Sequence, residues 1–417
     1  MRKHRRRFRF PSWILPAVFV VGLALATFLW LSGRHNDTRG YLAAFFFPER
    51  ITPERLQQRY QQNALTVLVV PGHDRKSWGT SFGDLKEVDL TVALAGYLHD
   101  FLKADSHFRV FLTQDENGYA SWVTSRLTAQ AGVIQSFRDR LKQAMASAIQ
   151  SGFEQKTLVY HPTAEPEVAN RLYGLNKWAN ENNVDLVVHV HFNDYSGRRL
   201  NRAGKYTGLA VYVPERQLPN ARSSVAMARS VLASLITLEP VSNLPQEADG
   251  IIEDQELIAI GANASLDAAA LLVEYGYIYE PQWANAGVRD LALRELAYRT
   301  YAGVAKHFDL DRTLAPHDAA ILPHRWSKPL TPGLRGNPDV LALQLALRKE
   351  GLYPSSGDLR SCPLSGSYFE CTEAAVARFQ AKYRDDILKP AGLVQPSGTA
   401  GSRTIEKLNA LYGPRSD

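Results

Sequence analysis

Leu65-Thr66-Val67-Leu68-Val69-Val70, closed by Pro71-Gly72-His73, is the stretch that decides the architecture. A short apolar run stopped by Pro-Gly reads as a strand. Four more runs of the same kind follow: Arg109–Thr113, Asp185–Val190, Gly208–Val213 and Ala269–Val273. Helical periodicity fills the intervals and the stretch after the last run, near 88–104, 166–183, 221–237 and 288–308. Strands alternating with helices predict an α/β fold, a mostly parallel sheet flanked by helices, over residues 64–309.

One interval is too long for a minimal strand–helix–strand unit. Residues 117–165 carry a long amphipathic helix on which Ile134, Phe137, Leu141, Met145 and Ile149 share one face. This insertion is expected either to cover the sheet or to lie over the site as a lid or regulatory helix.

Outside the α/β unit the chain changes character. Residues 1–11 are a basic tail and 12–33 an uncharged stretch of the length needed to span hydrocarbon, with Trp13 and Trp30 placed for the two interfaces. Basic residues on the leading side predict a cytoplasmic N-terminus with everything after Arg34 outside. The alternative is a cleavable signal peptide with Ala24-Leu25-Ala26 before the cut, and Arg5-Arg6-Arg7-Phe8 weakly resembles a twin-arginine export signal. Each reading sends the chain across a membrane, into the periplasm or cell wall. Residues 34–63 read as a polar and aromatic stalk and 310–332 as a linker rich in Pro, Ala and His. Residues 333–413 return to helical patterning: Val340, Leu343, Leu347 and then Val376, Phe379, Tyr383 recur at the spacing of a small all-α three-helix core.

The 417-residue chain has 45% hydrophobic and 22% charged residues, too long for one ordinary domain and too apolar for a disordered polymer. Two cysteines exclude a disulfide framework and a Cys-rich zinc fold. The net charge of +6 belongs to the N-terminal tail, which holds six of the 48 basic residues and no acid, leaving 42 against 42. Bulk charge therefore gives no support to nucleic-acid binding, and no nucleic-acid partner is expected.

Three apolar runs stop at a histidine or a carboxylate, where open parallel sheets place their ligands. They are Val70-Pro71-Gly72-His73, with Glu87 fourteen residues later; Val188-His189-Val190-His191-Phe192-Asn193-Asp194; and Val273-Glu274-Tyr275-Gly276-Tyr277. Two histidines and a carboxylate are the ligand set of a catalytic zinc that keeps one position for water, and Glu274 is a further carboxylate able to accept that water's proton. Taken singly, each residue could be an ordinary structural one. His189 and His191 fall on one face of a strand, so periodicity does not say which is the ligand.

These segments resemble the zinc-dependent N-acetylmuramoyl-L-alanine amidases. Leu65 to Glu87 is similar to that family's opening strand, Pro-Gly-His, glycine-bearing loop and Leu-Lys-Glu; His191-Phe192-Asn193 to its second histidine motif; and Leu272-Val273-Glu274-Tyr275-Gly276-Tyr277-Ile278 to its closing Leu-Val-Glu-x-Gly-Phe-Ile. The resemblance covers about residues 64–308. It implies zinc held by His73, Glu87 and His191, Glu274 as catalytic base, Asn193 as a substrate-binding residue, and peptidoglycan as substrate. The sequence departs from the pattern at Asp74 and Arg75, Phe192 and Glu280, positions expected to affect substrate fit rather than metal binding. Some relatives hold a helix over the metal until a partner releases it, so an activator protein acting on 117–165 is a further expectation.

Leu334-Arg335-Gly336 with Asp339, Leu343-Gln344, Leu347, Gly351 and Tyr353, then Thr372 to Gln380 and Gly401 to Leu408, resembles the three-helix peptidoglycan-binding module. Cys362 and Cys371, in an exported chain, are expected to form a disulfide, a free pair being the alternative. Two other readings remain at this stage: a membrane-tethered peptidoglycan-binding protein without catalysis, and a zinc peptidase acting on stem peptides.

Overall fold

The computed structural model describes residues 49–161, 164–312, 314 and 321–414. The segment expected to span a membrane at 12–33, and the first half of the stalk, lie outside the described residues; among the described residues no helix is long and apolar enough to cross a membrane.

The first half of the α/β unit runs α1 (Pro53–Gln61), β1 (Leu65–Pro71), β2 (Ser81–Phe82), β3 (Leu85–Lys86), α2 (Glu87–Lys103), β4 (Phe108–Leu112), β5 (Gln114–Asp115) and β6 (Gly118–Tyr119). The insertion supplies α3 (Ser121–Ala129) and α4 (Ala131–Gln150) before α5 (Pro166–Glu181). The second half follows as β7 (Leu186–Asn193), β8 (Ala210–Pro214), α6 (Ala221–Leu235), β9 (Ile251–Asp254), β10 (Ala269–Tyr277) and α7 (Ala286–Phe308).

Six strands form the main sheet in the order β4-β1-β7-β10-β8-β9. The first four are mutually parallel; β8 pairs antiparallel with β10, and β9 is parallel to β8. The mostly parallel sheet thus has a reversed edge, and the chain path explains it. A parallel return requires a crossover long enough to carry the chain back to the starting edge. Between Asn193 and Ala210 no helix or strand forms, so β8 sets out from the edge where β7 ended and runs the other way.

Side chains alternate across each strand and build two cores. On β1, Val67 and Val69 pack with Leu94 and Leu98 of α2 and Val304 of α7. Leu68 and Val70 face the opposite side, toward Leu175 and Trp178 of α5. Helix α4 does not lie on the sheet as cover: it packs on α5 and on the turn at 262–264. Gly174 permits this, because a Cβ there would come within 2.5 Å of Leu127 and 3.0 Å of Ile134. The insertion is therefore two helices laid over a third, and the chain then crosses to the β9 end of the sheet. There Gln155 N–H donates to Gln217 and Tyr160 N–H to Asp254.

Residues 338–412 form α8 (Pro338–Lys349), α9 (Glu370–Lys382), α10 (Arg384–Ile387) and α11 (Ser402–Tyr412), with a disulfide between Cys362 and Cys371. Asn337 caps α8 by accepting from Asp339 and Val340 N–H. These helices share one apolar core with the α/β unit, and the preceding segment is part of it: Ile321, Trp326 and Leu330 are buried, and the Trp326 indole donates to the Asp339 carbonyl at 2.9 Å.

Candidate metal centre

The C-terminal ends of β1, β7 and β10 lie side by side, so residues distant in sequence converge there. His73 follows β1 in the left-handed region, φ 67°, which turns the chain sharply away from the strand. Glu87 opens α2, and β10 places Glu274 directly opposite His191 of β7.

His73, Glu87 and His191 each offer a ligand atom, all within 4.8 Å of one another. Glu87 bridges the two histidines, at 3.2 Å from His73 Nε2 and 3.1 Å from His191 Nδ1. Ligands held 2.0–2.2 Å from one tetrahedral ion lie about 3.3–3.6 Å apart, close to the Glu87–histidine separations, so these three side chains are able to hold one metal ion. The carboxylate is held from behind: Oε1 accepts from Phe192 N–H at 3.1 Å and Oε2 from Thr80 N–H at 3.0 Å. Gln114 Nε2 donates to the His73 carbonyl at 2.9 Å and fixes that turn. Such outer contacts orient metal ligands.

Two glycines make the cradle. A Cβ at Gly72 would lie 2.3 Å from the His191 ring, and one at Gly79 (φ +76°) would lie 2.2 Å from Glu87 Oε2 and 2.7 Å from His73. Backbone passes where no larger residue could.

The ambiguity between the two histidines of β7 resolves by depth along the strand. His189 is buried two residues before the rim and bonded to the Ala259 backbone; burial first, then the nearby His191, push its imidazole down to about 3. His191 sits at the rim facing His73, with ring centroids 5.2 Å apart. Around Glu87, burial opposes ionisation, but hydrogen bonds and positive charge from His191 and His73 hold its carboxyl well below the usual range.

Glu274 is the exception in this network. It is 6% exposed, and its Oε2 is buried without a hydrogen-bond partner. Burial, followed by the charges of Glu87 and Glu247, raises its carboxyl well above the ordinary range. Asn193 also reaches the rim, where its side-chain amide donates to Glu247 Oε1 at 2.8 Å.

Glu247 escaped the sequence reading. It accepts from Asn193, from Tyr212 Oη at 2.7 Å and from Tyr277 Oη at 3.2 Å, and so fixes the floor beside Glu274. It lies in a single 3-10 turn at Pro245–Glu247, with no periodic pattern to signal burial. Gly79 carried a weak signal, as part of the glycine-bearing loop before Leu85-Lys86-Glu87. The departing residues have structural partners: Asp74 pairs with Arg171 at 3.0 Å, Phe192 packs edge-on to Trp283, and Glu280 accepts from Gly208 N–H and Thr207 Oγ1.

A His₂Glu set able to hold a metal ion, with a further carboxylate beside it at the rim of an α/β sheet, is the layout of a hydrolase's active centre. Residues 67–306, more than half of the chain, match the family described as N-acetylmuramoyl-L-alanine amidase, and the chain belongs to that family. It is an enzyme that hydrolyses the amide joining N-acetylmuramic acid to L-alanine in the cell wall. Similar solved structures include the CwlD amidase from Clostridioides difficile in complex with the GerS lipoprotein, 13% identical, covering 59% of this chain and 100% of that one with a TM-score of 0.39. Others are the amidase AmiC2 of Nostoc punctiforme (18% identity, 60% and 98% covered, TM-score 0.36) and Ami1 from Mycobacterium smegmatis (15%, 59% and 98%, 0.39). No curated protein matches the chain.

Proposed function

We propose that His73, Glu87 and His191 hold a zinc ion and that Glu274 is the catalytic base of this amidase. The observation that carries the reading is Glu274 Oε2, buried and unpartnered beside the three ligands. A carboxylate left unpaired at that depth is costly unless something else occupies the space before it. Zinc supplies Lewis-acid polarisation of a carbonyl and acidification of water. Glu274 takes the proton from the attacking water at its carboxylate and delivers it to the nitrogen of L-alanine as the amide breaks. The raised affinity of Glu274 for a proton suits both halves of that transfer. Glu247, held by two tyrosines and Asn193, keeps the floor rigid while Glu274 changes protonation.

We further propose that residues 12–33 tether the enzyme to the cell membrane with residues 34–417 outside the cytoplasm, that 333–413 form a module binding peptidoglycan, and that an activator protein acts on 117–165. Tethering to the wall would raise the local concentration of the catalytic unit on its substrate. The function is tested by digesting sacculi with the purified full chain. Free L-alanine amino termini and peptide-free glycan strands are expected, lost with a chelator and restored by zinc. Cleavage within the stem peptide would instead indicate a zinc peptidase, and wall binding without cleavage or zinc a non-catalytic binder.

A further inference from the structure

A cleft of about 1000 Å³ opens beside the metal centre, between the first half of α2, the β5–β6 hairpin, α3 and Arg171 of α5. It starts where the ligands end: Asp74 follows His73, and Val88 and Asp89 follow Glu87, yet none of the three ligands lines it. The cleft therefore adjoins the ligands without containing them, within reach of a group neighbouring a bond held at the centre.

Two independent features describe what that group must be. Six carboxylates and three basic side chains line the walls, an excess of negative charge. Arg171 is neutralised by Asp74 at 3.0 Å. Asp89, Glu116 and Glu167 have no ion-pair partner among the described residues. The second feature is Gln114, 3% exposed, whose Nε2 is committed to the His73 carbonyl. Its Oε1 is buried in the cleft wall with no hydrogen-bond partner. A buried acceptor without a donor costs stability, and an N–H from a ligand removes that cost. Acidic walls and a vacant acceptor ask for the same chemistry, a nitrogen cation.

We propose that this cleft is the subsite for a primary ammonium of the peptidoglycan strand and that it makes the enzyme selective for amine-bearing substrate. The inference rests on the amidase reading above. Gln114 Oε1 takes an N–H close to the scissile bond, and Asp89, Glu116 and Glu167 hold the ammonium further out. A wall strand offers that group from two sources, the side-chain amine of a diamino acid in the stem peptide or the amine of an N-deacetylated sugar.

The test compares three soluble muropeptides with the zinc-loaded full chain. The first has a free side-chain amine in the stem peptide, the second has that amine acetylated, and the third adds an N-deacetylated glucosamine to the second. A charged hydrogen bond sets the scale, so the first is expected to exceed the second by roughly ten-fold or more in kcat/KM. If the third recovers the rate of the first, the sugar amine is the ligand; if it stays with the second, the peptide amine is. In the double variant Asp89→Asn/Glu167→Gln the ratio of amine-bearing to acetylated substrate should fall toward one, and because it is a ratio within one preparation, partial misfolding does not imitate it. Equal rates on all three substrates overturn the ammonium subsite while leaving the amidase reading intact. Cleavage of none of them overturns the amidase reading, and the subsite with it.

Discussion

The C-terminal helices and the metal centre bury polar side chains to similar depth and treat them in opposite ways. In the helices, Gln344 Nε2 donates to the Ser367 carbonyl and Thr372 Oγ1 while its Oε1 accepts from Gly366 N–H. Gln380 repeats the pattern, donating to the Thr399 carbonyl and accepting from Ser397 and Gly398 N–H. Every polar atom of both amides has a partner, and these residues tie loops to helices. At the rim of the sheet, Glu274 is equally sequestered and its Oε2 has none. Native structures satisfy nearly all buried polar groups, and Glu274 stands out among the exceptions because it lies directly opposite a ligand of the centre. In the helices satisfied burial builds the fold; at the rim the free oxygen of Glu274 stands beside the ligand set.

The comparison breaks most completely if a ligand is removed. His191→Ala should lose both bound zinc and hydrolysis to background, measured as zinc per chain and muropeptide turnover. Gly79→Ala probes the cradle rather than the ligands: the new methyl would meet Glu87 Oε2, and zinc affinity should fall by about 10–100-fold in a competition titration, the scale of outer-contact defects. On the architectural side, Gln344→Leu leaves Gly366 N–H unpaired in the core and should cost about 1–3 kcal/mol in denaturant unfolding. In that variant kcat on a soluble muropeptide should not change.

The smallest effect sharpens the rule at a third place. Glu154, after the insertion helices, is buried with neither oxygen paired. Burial first, then the charge of Glu215, raises its carboxyl to about 7. An acid whose pKa is higher folded than unfolded contributes stability that is complete below its ordinary value of 4.5 and is lost as pH rises through about 7. Glu154→Gln should therefore leave the midpoint of thermal unfolding unchanged near pH 4 and raise it by about 2 °C at pH 8.

How much of this was legible follows from the kind of signal each part left. The five apolar runs correspond to β1, β4, β7, β8 and β10, and the four helices fall within two residues of their expected bounds, because burial on a regular element imprints a period on the sequence. The reversed direction of β8 left no such imprint, since alternation is identical in both senses and only the helix-free return from Asn193 decides it. Strand β9, four residues long, carries too few positions for a pattern. Histidines and carboxylates closing apolar runs announced the centre and the glycine-bearing loop hinted at Gly79, while Glu247 and Gln114 left no signal: their roles exist only through Tyr212 and the His73 carbonyl, which the fold brings to them. The insertion showed its apolar face clearly, yet the surface covered, α5 rather than the sheet, depends on Gly174 offering a flat contact.

The central claim is that three side chains hold the metal and the fourth moves the proton. Metal content and muropeptide hydrolysis measured together on the full-length Glu274→Gln variant test it most directly. The account predicts one zinc per chain, as in the unaltered protein, with hydrolysis reduced by about 10²–10⁴-fold. Loss of zinc together with activity would make Glu274 a ligand, and undiminished hydrolysis would remove it from the reaction.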